Sequence, residues 1–408
     1  MNRLDPNPVD LNAVDPYAGE RLKKTHFYPR AAALNIRDAW VAWNGYKFAE
    51  CYYDAEYEYF CVRNSCATYD ICPMQKYYIE GRDAEAMLNR MVTRDVKKLG
   101  LNRVMYTVWC TDEGRMVDDG TIFRLADDKF MLTCGSPNNA WLRMSAFGFG
   151  DVTVTDMSDE LAALAFQGPT TCAVLKKMGL QDIETAKPFD IRHFPFHGDT
   201  LMVSRTGFTG DLGYELWVKP ELALVLWDEL YAAGADYGIQ PFGEEATNMA
   251  RLEAGFIMPD LDFNEALKTI HFEHDQSPLE LNLGWLVDFK KPHFNGRNAL
   301  LKEKERGPKY TLTRLDIPGN KPAVEAILYR NERCSKDIGY VTSAMWSPAV
   351  KANIALAMIK TEFLKGDIWA EVYYQKELRQ YRKVALCTVI DKQFWTPPRA
   401  RATPPPDF

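Results

Sequence analysis

The alternation of apolar and polar positions becomes regular at Gln75. The run QKYYIEG has the period of a strand, and Asp83 offers an N-cap to a helix over Ala84–Met91, where Ala84, Met87, Leu88 and Met91 recur at helical spacing. Three β-rich runs follow at 104–110, 116–125 and 129–134, separated by the turn signals TDEG and ADD. Links this short demand antiparallel pairing, because a parallel crossover needs a dozen residues or more. Ser136 or Asn138 can cap a second helix through Ala140, Leu142, Met144 and Phe147. Strands are then expected at 152–156, 162–166 and 200–204, and helices at 171–178, 221–233 and 244–254. After residue 296 the pattern shifts to short strands with Gly and Pro turns, at 309–315, 338–342, 354–359, 367–373 and 382–389, which suggests a small antiparallel barrel. The first twenty residues and the run TPPRARATPPPDF lack hydrophobic pattern, and both ends are expected to lie outside the core.

A chain of 408 residues with 47% apolar content suits two or three packed domains. The net charge of -7, with no run of five basic residues, argues against nucleic acid as a partner. Nine cysteines without a C-x-x-C pair are the usage of a reducing compartment. No window approaches eighteen apolar residues and the start carries no basic-then-apolar leader, so the expectation is a soluble cytoplasmic protein with no membrane partner. The oligomeric state does not follow from the sequence.

Candidate chemistry lies at four places. Asp118 and Asp119 stand side by side within a strand, where neighbours face opposite sides, so one of them faces inward or toward a cavity unless both sit wet at a strand end. The block RTGFTGDLGYEL packs three glycines into seven residues before a strand carrying Glu215, which suits either a tight turn or close backbone approach to a ligand. Neither G-K-[ST] nor a helix-opening G-x-G-x-x-G is present, so it is not a phosphate loop. Arg251, Glu253 and Gly255 end a helix that by composition could be an ordinary capped one, and GYVTSAMWSP reads as a strand entering a turn. His271 and His274, with Asp260 and Asp262 upstream, lack a third well-placed ligand, so no metal site is expected. Cys72 has no nearby histidine and reads as a buried small residue. The aromatic stretch Trp40, Trp43, Tyr46, Tyr52, Tyr53, Tyr57 and Tyr59 suits core packing, or walls around a flat or cationic donor.

Taken in order, YDICPM at 69–74, Asp118-Asp119, Gln167-Gly168-Pro169, the 207–215 block, RLEAG at 251–255, Leu283-Gly284-Trp285, FNGRNAL at 294–300 and the 339–348 segment resemble the aminomethyltransferase family. That family includes the glycine-cleavage T-protein, the folate-linked C-terminal halves of sarcosine- and dimethylglycine-oxidising enzymes, and folate-dependent demethylases. The resemblance implies an α+β fold: a three-domain ring of the T-protein type with mixed and antiparallel sheets and a C-terminal antiparallel β-barrel. Residues 1–295 would form two interleaved folate-binding domains, 296–395 the barrel and 396–408 a tail. It implies tetrahydrofolate as cofactor, with Glu215 on the pterin, Asp118 as catalytic acid near N5, and Arg251 and Tyr106 as further cofactor contacts.

The chain also departs from the T-protein pattern. Thr247 stands where the T-protein helix has a folate-contacting Arg, Cys72-Pro73 replaces a Ser-His, and the connection from Gly255 to Ser277 is longer. Phe27-Tyr28-Pro29 resembles a segment of aryl-ether demethylases that supplies a substrate tyrosine, so Tyr28 and Tyr214 are candidate catalytic residues beside the leaving atom. The expectation is a tetrahydrofolate-dependent demethylase acting on a small methylated donor: an amine, an onium compound or a methoxy-aromatic. The alternatives are an aminomethyltransferase forming 5,10-methylenetetrahydrofolate and a non-catalytic folate-binding protein.

Overall fold

The structure is a computed structural model, and it describes residues 22–269, 275–319 and 321–405. The N-terminal arm before residue 22 and both His271 and His274 lie outside the described residues. A six-stranded sheet runs in the order Ile191–Phe196, Asp199–Ser204, Gly213–Val218, Ala162–Gln167, Ala67–Asp70, Gln240–Pro241, antiparallel except for its last pair. Between its strands in sequence lies a complete five-stranded antiparallel sheet, ordered Arg103–Cys110, Met116–Arg124, Lys129–Cys134, Gln75–Glu80, Thr153–Asp156. The short links at 111–115 and 125–128 impose the antiparallel pairing, as the pattern requires. A small sheet of Lys23–Lys24, Ala39–Trp43 and Tyr46–Cys51 precedes them. Past residue 309, seven antiparallel strands form a sheet whose outer members, Arg379–Leu386 and Thr388–Ile390, are not paired with each other. It therefore curls as a half-barrel.

Strand parity decides where the cores lie. In Gly213–Val218, Tyr214, Leu216 and Val218 pack beneath helices Thr171–Lys177 and Ala223–Gly234, while Trp217 turns to the opposite face with Phe123 and Met131 of the five-stranded sheet. That second sheet covers its own outer face with helices Ala84–Met91 and Asn139–Ala146. The half-barrel packs Leu312, Leu356 and Met358 against Val108, Met116 and Leu252. Three sheets thus converge on one interior space.

Several local expectations are corrected. Asp83 precedes helix Ala84–Met91, but its carboxylate accepts from the backbone N–H groups of Gly150 and Asp151 instead of capping the helix. Asn138 is likewise drawn away from helix Asn139–Ala146 by Asp118, and Met144 and Phe147, placed on that helix's apolar stripe by spacing, are 60% and 85% exposed. The C-terminal run, outside the cores, is docked: Arg399 pairs with Asp211, Arg205 donates to the Ala402 carbonyl, and the N–H of the preceding Trp395 donates to the Glu253 carbonyl.

One buried network joins these parts. Arg63, on helix Ala55–Asn64, sends Nη2 to Glu253 Oε2 at 2.7 Å and Nη1 to the Thr209 carbonyl at 2.9 Å. The other oxygen of Glu253 accepts from Tyr59 at 2.7 Å and from Ser347 of the half-barrel at 2.5 Å. Removing one member of a buried pair strands the other's charge, which costs about 3–5 kcal/mol. Glu253→Ala is therefore expected to lose about that much stability in urea unfolding, and Glu253→Gln less; a loss under about 1 kcal/mol for the alanine variant would contradict the network's role.

Candidate active site

The converging sheets enclose a cavity of about 890 Å³, a size suited to a drug-sized or cofactor-sized ligand. Glu215 enters it from the six-stranded sheet, Tyr106, Asp119 and Thr121 from the five-stranded one, and Leu312, Arg314 and Leu356 from the half-barrel. The Gly-rich loop forms one wall. Two of its glycines make room for Gln167, whose side chain would lie 2.1 Å from a Cβ on Gly207 and 2.4 Å from one on Gly213, and Gly210, at φ +69°, lies against Ala254. Gln167 holds the loop by donating to the Thr206 and Tyr214 carbonyls and accepting from Thr209. Thr206 is thereby set 2.6 Å from Glu215 Oε2, which also accepts from Ser204 at 3.3 Å. Oε1 of Glu215 accepts from no group among the described residues. Burial lifts the Glu215 carboxyl to about 7, and the two hydroxyl donors pull it part of the way back.

On the facing wall the parity of Met116–Arg124 separates the two aspartates. Phe123, Thr121 and Asp119 point to the cavity side, whereas Ile122 and Asp118 point to the helix-covered side. The aspartate in the cavity is therefore Asp119, not Asp118. The Tyr106 hydroxyl donates to its Oδ2 at 2.7 Å. Asp118 is fully buried behind the sheet, where Asn138 donates to it at 2.7 Å. Both carboxyls are raised by burial, Asp119 to about 6, and Asp118 further because Asp119 and Glu265 add like charge.

The remaining expected site residues do not join this group. Tyr214 points to the opposite face of its strand, into the core. Tyr28 packs on Trp40, 5.1 Å between ring centroids, and does not line the cavity. Arg251 is also absent from the lining: its donors go to Asn248, the Phe256 carbonyl, Asp262 and Ser343, so it ties helix Glu244–Glu253 to the following loop and the half-barrel. Asp262, one of the residues weighed for a metal, is thus an arginine partner, and no cluster of three potential metal ligands occurs among the described residues. Cys72 is buried with its thiol pushed well up by desolvation, which suits packing and not nucleophilic attack. Of the seven aromatics from Trp40 to Tyr59, Trp43 alone lines the cavity.

Residues that carried no clear chemical signal complete the lining. Phe208 and Phe256 stack 5.6 Å apart on one side, and Trp285, 68% exposed, stands at the rim 6.4 Å from the Tyr106 ring. Thr247 lines the cavity, but its hydroxyl turns back to the Gly243 carbonyl of its own helix. Six cations (Arg94, Lys98, Arg103, Arg205, Arg314 and Arg401) against three carboxylates (Asp119, Asp211 and Glu215) give the lining a positive balance within an acidic protein. No helix of the described residues is long and apolar enough to cross a membrane.

Comparison with known proteins bears on this arrangement. The GCVT N-terminal domain model matches residues 31–291, and the glycine cleavage T-protein C-terminal barrel domain model matches 313–389. An aminomethyltransferase of Caldanaerobacter subterraneus subsp. tengcongensis is 31% identical, the alignment covering 92% of this chain and 96% of the relative. A protein of Ruegeria pomeroyi named trimethylamine-oxide aldolase is 35% identical over 93% of this chain, which spans 48% of that relative's length. The crystal structure of the glycine cleavage system aminomethyltransferase T from Bartonella henselae is alike in fold, with a TM-score of 0.80 at 24% identity over 94% of this chain and 99% of that one.

The raised carboxyl of Glu215 has a measurable consequence in the ligand-free protein. Its ordinary value is 4.5 and its folded value about 7, so between those points the unfolded chain ionises first. The group's contribution to stability is thus complete below pH 4.5 and lost as pH rises through 7. Asp119 acts in the same direction. Thermal unfolding is expected to show Glu215→Gln gaining on the wild type between pH 5 and pH 7.5; a constant gap would refute the shift.

Proposed function

Because the chain belongs to the aminomethyltransferase family of the glycine-cleavage T-protein, whose members use tetrahydrofolate, we propose that it is a demethylase moving a methyl group from a small methylated donor to N5 of that cofactor. The cavity residues fit the cofactor. Glu215 presents an unfilled carboxylate oxygen to a space walled by the Phe208–Phe256 pair, where two parallel N–H donors of a pterin would meet a bidentate acceptor. The cations at the margin, with exposed Arg401 among them, suit the carboxylates of a glutamyl tail.

When bound, tetrahydrofolate supplies the acceptor nitrogen. Asp119 would hold the proton given up by that nitrogen, and the donor heteroatom would leave with the electron pair of its bond to the methyl carbon. A carboxyl near 6 is suited to this at neutral pH, and Tyr106 orients it. The surrounding walls hold the two reactants in line, so proximity carries much of the rate.

The observation behind demethylation rather than glycine cleavage is Thr247. In place of the arginine of the T-protein pattern, the chain offers the cavity an uncharged side chain whose hydroxyl is spent within its helix. The Ruegeria pomeroyi relative, named for an oxidised methylamine, supports a small methylated amine as donor. Incubation with tetrahydrofolate and panels of methylated amines, sulfonium compounds and methoxy-aromatics should yield 5-methyltetrahydrofolate. Methylene product alone would establish the aminomethyltransferase reading instead, and folate binding with no transfer from any donor would favour the non-catalytic one. Asp119→Asn is expected to lower kcat about 10²–10⁴-fold while leaving folate affinity within about threefold. An equal loss from Asp118→Asn with Asp119→Asn unaffected would return the role to the buried residue.

A further inference from the structure

Arg314 projects from strand Tyr310–Asp316 of the half-barrel into the cavity, on the same face as Leu312 and beside Leu356 of the neighbouring strand. It forms no hydrogen bond and no ion pair among the described residues, and its Nε is enclosed without an acceptor. Space for it is kept by Gly255, where a Cβ would stand 2.9 Å from Arg314 Nε. The other inward cations of this lining are engaged: Arg103 with Asp190, Lys98 with Asp288, Arg94 with the Tyr106 carbonyl, and Arg205 with the Ala186 and Ala402 carbonyls. A guanidinium keeps its charge at any working pH and is costly to enclose beside leucines without an anion. Its planar fork matches a carboxylate.

We propose that Arg314 is a specificity residue that binds the carboxylate of the one-carbon donor, so that the donor is a methylated carboxylic acid: an N-methylated amino acid or a methoxy-substituted acid. The glutamyl tail of the cofactor is the other possible source of a carboxylate. A hydrated tail fits the margin, where Arg401 is exposed and without a side-chain partner among the described residues, whereas Arg314 is half-buried and shares the lining with Leu281, Leu312 and Leu356. The ligand's role as donor rests on the methyl-transfer reading; the anion site rests on Arg314 itself.

The test measures binding and turnover separately. Calorimetry on wild type, Arg314→Leu and Arg314→Lys would use donor pairs differing in the carboxylate: N,N-dimethylglycine and N,N-dimethylethanolamine, glycine betaine and choline, 3-methoxybenzoate and methoxybenzene. Tetrahydrofolate and tailless tetrahydropteroate would be titrated in parallel. The wild type is expected to prefer the acid of at least one pair, Arg314→Leu to weaken that acid about 10–100-fold, and Arg314→Lys to recover part of it, with both folates unchanged. The ligand-free Arg314→Leu protein should melt no lower than wild type, since it loses no partner. Equal binding of acids and their neutral counterparts would overturn the proposal, as would a loss confined to tailed folate. Acid binding that depends on Arg314 without methyl transfer would keep the anion site and reject the demethylase.

Discussion

The contact between Arg63 and Glu253 is the constraint on which the other parts depend. Both side chains are buried, and together with Asp211, Tyr59 and Ser347 they fasten an N-terminal helix, the Gly-rich loop, the helix after the six-stranded sheet, the half-barrel and the docked tail. A buried ion pair is a poor source of net stability, because desolvation offsets most of its attraction, but it tolerates no misplacement. This network ties the Gly-rich loop and helix Glu244–Glu253 to the half-barrel, two of the walls around the cavity.

Within that frame, the two-residue period of a β-strand assigns the chemistry. A single step along Gly213–Val218 separates core Tyr214 from cavity Glu215, and a single step along Met116–Arg124 separates buried Asp118 from cavity Asp119. The walls then tune what parity has placed. Low polarity raises both cavity carboxyls toward neutrality, while hydroxyls from Thr206 and Tyr106 keep them from rising further. The result is a pair of groups able to change protonation near pH 7, one on each side of the same space.

Regular elements were legible because period and turn chemistry are local. Helix Ala84–Met91 and strand Lys129–Cys134 match their expected limits, and the short turns dictated the antiparallel order. Strand Ile191–Phe196 is not legible in the sequence, since Pro195 argues against a strand and is tolerated only because this one lies at the sheet edge. Asp83 and Asn138 stand at cap positions by sequence, but longer-range partners claim their side chains. The family likeness pointed to the aspartate pair and to Glu215, and of these Asp119 and Glu215 line the cavity. It implied Asp118, whereas Asp119 is the one that faces the cavity, because the outcome depends on which face the helices cover. Arg251 illustrates the converse: an arginine in a family motif whose donors are all spent on holding the fold.

Thr247 and Arg314 belong to the same argument about what the cavity recognises. A resemblance-based reading looks for charge at the position Thr247 occupies and finds none there. On the half-barrel, where an alternating strand gives an outward polar residue no special weight, a guanidinium faces the cavity without a partner among the described residues. Positive charge is thus not missing from the lining but carried on another wall, away from the strand of Glu215. If each of the three sheets contributes one polar determinant, with Glu215 toward the cofactor and Asp119 toward the proton, the third determinant is left to select the molecule that gives up the carbon. Selection by a half-buried cation is sharp because the free protein already bears its desolvation cost, and only a ligand of opposite charge relieves it.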